Sequence, residues 1–225
     1  MIHLVEHYIQ RDILRRLSRS GELSFSSIQP DGIGNGIFTY HLKTLVKHGF
    51  VIHRKDSYSL SMDGVKYITQ VSRTNLDMQL QPKIFGFLII ENEKGEYVLH
   101  RRAAAPFLHR YTFPGGTLLF NETLDELVER QLMEKIGVKV TVQNRGMASL
   151  RLGEHGQTVS HSYAHLFYAK VDGLLEMRAK DARFAPEWID VHKTPKAELL
   201  PDVIAILNAV QRQKRYFFLD VCVPE

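Results

Sequence analysis

The chain begins on a helical rhythm and passes to a strand rhythm part-way along. Within residues 3–18, Leu4, Tyr8, Ile13, Leu14 and Leu17 recur near helical spacing, which predicts an amphipathic helix with these side chains on its inner face. Ser18-Arg-Ser-Gly21 ends it, and Ser24-Phe-Ser-Ser-Ile28 starts a short second helix. Gln29-Pro-Asp-Gly-Ile-Gly-Asn-Gly36 reads as a turn, being rich in residues that tolerate positive φ. A third helix is expected from about Ile37 to His48, with Phe38, Leu42, Leu45 and Val46 inward and Gly49 just past its end. Phe50 to Leu60 reads as two short strands joined at Lys55-Asp56-Ser57, and a last helix runs from Met62 to about Val71.

Beyond a polar stretch ending at Pro82 the pattern is mostly β. Strands are expected at Lys83–Ile90, Tyr97–Arg102, about Lys139–Leu152, Val159–Val171 and Glu187–Val191. Helices are expected up to Ile136 and from about Leu199 to Lys214. The apolar run Tyr216-Phe-Phe-Leu-Asp-Val-Cys222 is open between a final strand and an interface element. The expected organisation is therefore a small helical unit with a hairpin at 1–72, a linker at 73–82, and an α+β or α/β unit at 83–225.

Composition narrows the class. A length of 225 residues suits two modest domains, and 44% apolar with 24% charged residues excludes wholesale disorder. No apolar stretch approaches the roughly 20 residues of a membrane span, and the mixed start Met-Ile-His-Leu-Val-Glu-His lacks an export signal, so a cytoplasmic protein with no membrane partner is expected. The single cysteine, Cys222, excludes an intramolecular disulfide and is expected to be a buried thiol. Residues 1–75 carry ten lysines and arginines against six acids, which is the whole net excess of +4. A basic first third on a neutral body is the footprint of a nucleic-acid-binding module.

Helix, short helix, turn, longer helix, hairpin, helix is the element order of a winged helix-turn-helix. Phe38-Thr-Tyr-His-Leu-Lys-Thr-Leu-Val-Lys-His-Gly-Phe-Val51 and Tyr58-Ser-Leu-Ser-Met-Asp-Gly64 resemble the recognition helix and wing of bacterial and archaeal transcription regulators of that type. The resemblance implies double-stranded DNA as a partner, with the third helix in a major groove and commonly a homodimer reading two half-sites. Asn35, Thr39, Tyr40, Lys43 and Lys47 are left to face outward. Lys43 and Lys47, with Arg54 and Lys55 in the hairpin, are candidates for phosphates, and Thr39 and Tyr40 for base edges or backbone. His41 sits among apolar positions and is expected to be a partly buried structural histidine. The competing use of such a module is protein contact or dimerisation.

In the second unit, Phe113-Pro-Gly-Gly116 leads into a fixed frame: Gly116, Glu122, Arg130, Leu132, Glu134, Gly137 and Val138. This resembles the box of the Nudix superfamily, G-x5-E-x7-R-E-U-x-E-E-x-G-U with U aliphatic, and implies an α/β/α sandwich with a mixed sheet. The family expects glutamates where this chain has Gln131 and Lys135, so of three carboxylates sharing one helix face only Glu134 remains. In active members they gather a divalent metal, usually Mg²⁺, on a substrate diphosphate. Glutamine offers at best a neutral carbonyl, and lysine has no acceptor and repels the ion.

Metal-assisted hydrolysis is therefore not expected, and neither is a cofactor. The resemblance extends to regulators whose Nudix-like domain senses a nucleotide or sugar metabolite, so a small phosphate-containing ligand is expected. Arg102, Gly115, Gly116, Gln131, Glu134 and Lys135 are its candidate contacts. Lys135 would supply point charge to a phosphate, or else pair with Glu134 or lie exposed. Glu122, Arg130 and Gly137 take structural roles in the box. The alternative is a Nudix diphosphohydrolase with an appended winged helix, using Mg²⁺ held by Glu134 and by Glu154 or Glu122; a scaffold is a third reading. Arg101 and Arg102 end a strand near the expected pocket and could hold phosphate, although an outward arginine on a strand is usually just solvated, and His161 and His165, four apart on a strand, are too distant to chelate one ion.

Overall fold

A computed structural model describes residues 5, 7–70, 81–154, 157–213 and 215–223. Two compact units divide the chain at residues 1–80 and 81–225. The expected inner-face Leu4, the end of the fourth helix at Val71, most of the expected linker and Lys214 lie outside the described residues.

The first unit begins with α1 (Tyr8–Ser20), whose first turn is capped by His7 Nδ1 accepting from Ile9 N–H at 3.2 Å. Ile9, Ile13, Leu14 and Leu17 form its buried face. Tyr8, expected inside, is instead 61% exposed. The i, i+4, i+8 row through Ile9, Ile13 and Leu17 faces the core, and one residue of helix rotates Tyr8 by about 100° away from it. Gly21, at φ 76°, ends the helix by donating to Leu17 O. Then come β1 (Glu22–Ser24) and the four-residue α2 (Phe25–Ile28), capped by Ser24. Next are α3 (Asn35–Lys47), β2 (Val51–Arg54), β3 (Ser57–Leu60) and α4 (Met62–Gln70).

Asn35 and Gly36, expected in the turn, are the first turn of α3. The Gln29 side chain donates to Ile33 O at 2.7 Å and to Asn35 Oδ1 at 2.8 Å, which holds the helix start despite poor intrinsic propensity. Strand β1 gave no sequence signal; it pairs with β3 to make a three-stranded antiparallel sheet ordered β1-β3-β2. Ile9, Ile13, Leu14, Leu17, Ile28, Phe38, Leu42 and Leu45 form the core with Phe50, Val51 and Tyr67. Each large side chain fully withdrawn from water contributes about 1.5–3 kcal/mol.

The second unit is built on a mixed sheet of β4 (Lys83–Glu91), β5 (Tyr97–Arg101), β6 (Tyr111–Thr112), β7 (Gly115–Thr117), β8 (Gln143–Glu154), β9 (Gln157–Lys170), β10 (Pro186–Ile189) and β11 (Phe217–Val223). The main order is β10-β5-β4-β9-β8-β11, with β6 on β5 and β7 on β4. Strands β4 and β9, and β8 and β11, run parallel; the other pairs are antiparallel. The continuous apolar run of β4 reflects burial on both faces. Phe87 and Ile89 pack with α6 (Pro201–Arg212), while Leu88 and Ile90 pack with α5 (Leu124–Gln131) and the π-helical turn Leu132–Ile136.

Several boundaries differ from expectation for physical reasons. Residues 139–142 alternate like a strand but join no ladder; Val138, Val140 and Val142 pack on the α5-side core instead. Helix α6 starts at Pro201, the N1 position that suits proline. Strand β11 settles the open segment at the C-terminus. Its alternation buries Val221 and leaves Cys222 exposed, so the thiol expected to be buried lies outside on an edge strand. Among the described residues no helix is long and apolar enough to cross a membrane.

Gly137 closes the π turn at φ 85°, and a Cβ there would meet Arg178 O at 2.1 Å. Gly173 has φ 74° with open space around it. Gly137→Ala is expected to destabilise the second unit by about 2–4 kcal/mol and Gly173→Ala by about 1 kcal/mol. Urea unfolding followed by the fluorescence of Trp188, the sole tryptophan, measures both; equal losses would contradict the close approach.

Candidate functional site

The loop after β7 and the helix after it are joined by one ion pair. Thr123 caps α5 in a reciprocal box with Glu126, which fixes where the helix starts. Two turns on, Arg130 grips Glu122 with Nε at 2.6 Å and Nη2 at 2.8 Å, donates to Thr117 O at 3.1 Å, and lies 3.6 Å from Glu134. Glu122 also accepts from Leu119 N–H at 2.8 Å. The Arg130 guanidinium, helped by the Leu119 amide, holds the Glu122 carboxyl down to about 2.

Gln131 is 2% exposed beneath β7. Its amide, oriented to satisfy both neighbours, donates to Gly115 O at 2.8 Å and accepts from Arg130 Nη1 at 2.5 Å. A Cβ on Gly116 would come within 2.6 Å of that amide, and one on Gly115 within 2.1 Å of Gly86 O. The two glycines therefore let the strand lie directly on the glutamine.

Lys135 is half-buried, its ammonium 3.1 Å from the centroid of Phe184. Burial lowers its pKa, while Glu134 and Asp181 oppose the shift. Phe184 arrives on a strap tied to the π turn, where Arg178 N–H donates to Ile136 O at 2.7 Å and Lys180 N–H to Glu134 O at 3.1 Å. The lysine thus lies on a ring, half-buried, and among the described residues it makes no ion pair with Glu134.

Gly115, Gly116, Glu122, Arg130, Gln131 and Glu134 gather at one place. Among the described residues Arg102 makes no hydrogen bond or ion pair with them: half-buried, it donates from Nε to Pro106 O at 2.8 Å. Arg101, open between phosphate contact and simple solvation, pairs with Glu198 at 2.7 Å and lies 4.0 Å over the Tyr111 ring. His100, which the sequence reading passed over, lies within reach of the charges of both Lys135 and Arg102. It is 7% exposed, its Nδ1 has no hydrogen-bond partner among the described residues, and it packs edge-on to Phe184 with ring centroids 5.6 Å apart. Burial, with Lys135 and Arg102 nearby, holds its pKa down to about 4. The signal was the strand alternation of Tyr97-Val-Leu-His100, which carries the histidine to the same face as Val98. Asp202, in the first turn of α6, was also missed; burial raises its carboxyl to about 6.

These residues do not fit the magnesium ion the family implies. Gln131 is committed on both sides, Glu134 lies against Arg130, and a lysine ammonium occupies the third position. Among the described residues no group of three or more His, Cys, Asp or Glu side chains is placed to hold a metal. The Glu154 side chain lies outside the described residues. His165 meets Asn144 at 3.3 Å and His161 packs against Tyr163.

In the first unit, Tyr40 is 67% exposed, Lys43, Lys47, Arg54 and Lys55 are exposed, and Thr39 is half-buried. Asn35 is exposed but its side chain accepts from Gln29. Lys55 turns the hairpin at φ 51°. His41 is 7% exposed and stacks on His7 with centroids 3.9 Å apart; burial, then His7, lowers its pKa.

Residues 81–209 match the NUDIX domain. That is more than half of the chain, which therefore belongs to the Nudix family. The NUDIX hydrolase of Nitrosomonas europaea is similar in structure, with TM-score 0.51 at 20% identity over 65% of this chain and 83% of that one. So is the NUDIX domain of Shewanella oneidensis NrtR complexed with ADP ribose, with TM-score 0.50 at 16% identity over 65% of this chain and 96% of that one. At these identities the likeness shows the fold alone. No curated protein matches the chain in sequence.

Two outcomes follow. Glu122 is depressed in the folded state, so its stabilisation is present above about 4.5 and is lost as pH falls towards about 2. The Trp188-monitored urea midpoint of wild type should fall more than that of Glu122→Gln between pH 6 and pH 3, and equal falls would contradict the pair's role. For the metal, 10 mM Mg²⁺ should leave the melting temperature of wild type unmoved and raise that of Gln131→Glu/Lys135→Glu by about 2–4 °C. A wild-type rise of the same size would contradict the donor-set argument.

Proposed function

We propose that the chain is a DNA-binding transcriptional regulator in which a Nudix unit binds a phosphate-containing metabolite without hydrolysing it. The observation that carries the second half is the fate of the two substituted positions. Gln131 is sealed under Gly115 and Gly116 as a neutral hydrogen-bonding amide, and Lys135 puts a cation where the chemistry needs an anion. The box keeps its frame while its metal-gathering function is gone. ADP-ribose, which the NrtR domain holds in its own structure, is the natural first probe.

The DNA-binding half is supported by the basic first third of the chain and by the way α3 displays its side chains. Phe38, His41, Leu42 and Leu45 anchor one face, so Tyr40, Lys43 and Lys47 project from the other, with Arg54 and Lys55 presented by the hairpin. In this reading residues 1–72 form a winged helix-turn-helix, and the working unit is a homodimer. The register of the box favours the competing reading of a diphosphohydrolase with an appended domain, and Gln131 and Lys135 oppose it.

The test is affinity of the full chain for a fragment of its own upstream DNA as a function of salt. Each phosphate-contacting lysine contributes about 0.9 to the slope of log K against log salt. Lys43→Ala/Lys47→Ala should therefore lower the slope by about 2 and weaken binding to all sequences alike. An unchanged slope would remove α3 from the interface, and no binding at all would return weight to the hydrolase.

A further inference from the structure

A cavity of 310 Å³ opens between α3 and the β2–β3 hairpin. Its floor is apolar: Phe25, edge-on to Phe38 at 4.8 Å, with Leu42 and Val46. One wall is flat, because His53 and Tyr58 are cross-strand partners whose rings stack at 4.3 Å and 9°. Lys43 and Lys47 stand at the rim, and among the described residues neither has an ion-pair or hydrogen-bonding partner.

DNA phosphates would satisfy the lysines but leave this floor and wall unused, since a phosphate is compact and strongly hydrated. A ligand that matches all three surfaces has a planar apolar body and one negative group. The volume is at the small end of the roughly 300–1,000 Å³ of ligand pockets, which limits the body to one or two rings. We propose that this cleft is a binding site for a planar aromatic carboxylate, its ring against the His53–Tyr58 wall and its carboxylate between Lys43 and Lys47. All the residues lining it belong to the first unit. Its occupation does not depend on the function proposed above; its consequence does, because a ligand here covers the same lysines that α3 would offer to DNA, so ligand and DNA exclude one another.

The experiment is calorimetric titration of the full chain with 2-naphthoate and with 2-naphthylmethanol, which has the same rings without the charge. Naphthoate should bind one-to-one, and the alcohol at least about tenfold more weakly. Val46→Phe, which fills the cavity, should abolish binding. Lys43→Ala/Lys47→Ala, which alters only exposed side chains, should weaken it about tenfold and keeps the test valid should Val46→Phe fail to fold. Lys135→Ala, in the other unit, should leave it unchanged. Absence of naphthoate binding, equal affinity for the alcohol, or binding indifferent to the lysine pair overturns the proposal. Binding that behaves as described yet leaves DNA affinity untouched keeps the site and counts against the assignment of α3 to DNA.

Discussion

The Arg130 guanidinium is the interaction on which the second unit's loop-to-helix geometry rests. It holds both oxygens of Glu122, the carbonyl of Thr117 and the amide of Gln131, and lies beside Glu134. Through these contacts the loop after β7 is pinned to α5, and β7 is in turn fixed to the central strand β4. Charge-assisted, bidentate bonds of this kind are stronger and more directional than neutral ones. All of these partners are protein groups. A chain can thus lose two metal-gathering glutamates and keep the frame, provided the replacements suit the same network. Gln131 does so by presenting a donor to Gly115 O, which a carboxylate lacks.

Lys135 changes the electrostatics without disturbing the fold for a related reason. Its ammonium finds the face of Phe184, with Glu134 and Asp181 as nearby counter-charges. The strap carrying Phe184 is bonded to carbonyls that the π turn and Gly137 leave available. A half-buried cation, an aromatic ring and a strapped helix end therefore form one local solution, and His100 shares it with a ring nitrogen that has no partner among the described residues.

Much of this was legible in the sequence, and the misses have local causes. Strand β4 was readable because its β-rich run at residues 87–90, buried on both faces, is followed by a turn-forming stretch, and the box because its glycines and its Glu122–Arg130 spacing demand one geometry. Tyr8 was misplaced because periodicity fixes a face only to within one residue. Cys222 was misplaced because alternation does not say whether a strand is central or at an edge. That Lys135 would find Phe184, 49 positions later in the chain, and that His100 would meet the same ring, depend on tertiary contacts that no local pattern encodes. The sequence fully named the box residues, yet only their contacts tell which are braces and which are open to chemistry.

The central claim is that the Nudix unit holds its ligand without cleaving it. The most direct measurement is phosphorus NMR of nucleoside diphosphate-linked metabolites, ADP-ribose among them, incubated with the full chain and Mg²⁺. The account predicts that the diphosphate resonances of a bound metabolite shift or broaden while their integrated intensity persists. Metal-dependent appearance of monophosphate products, such as AMP from ADP-ribose, and its loss in Glu134→Gln, would contradict it.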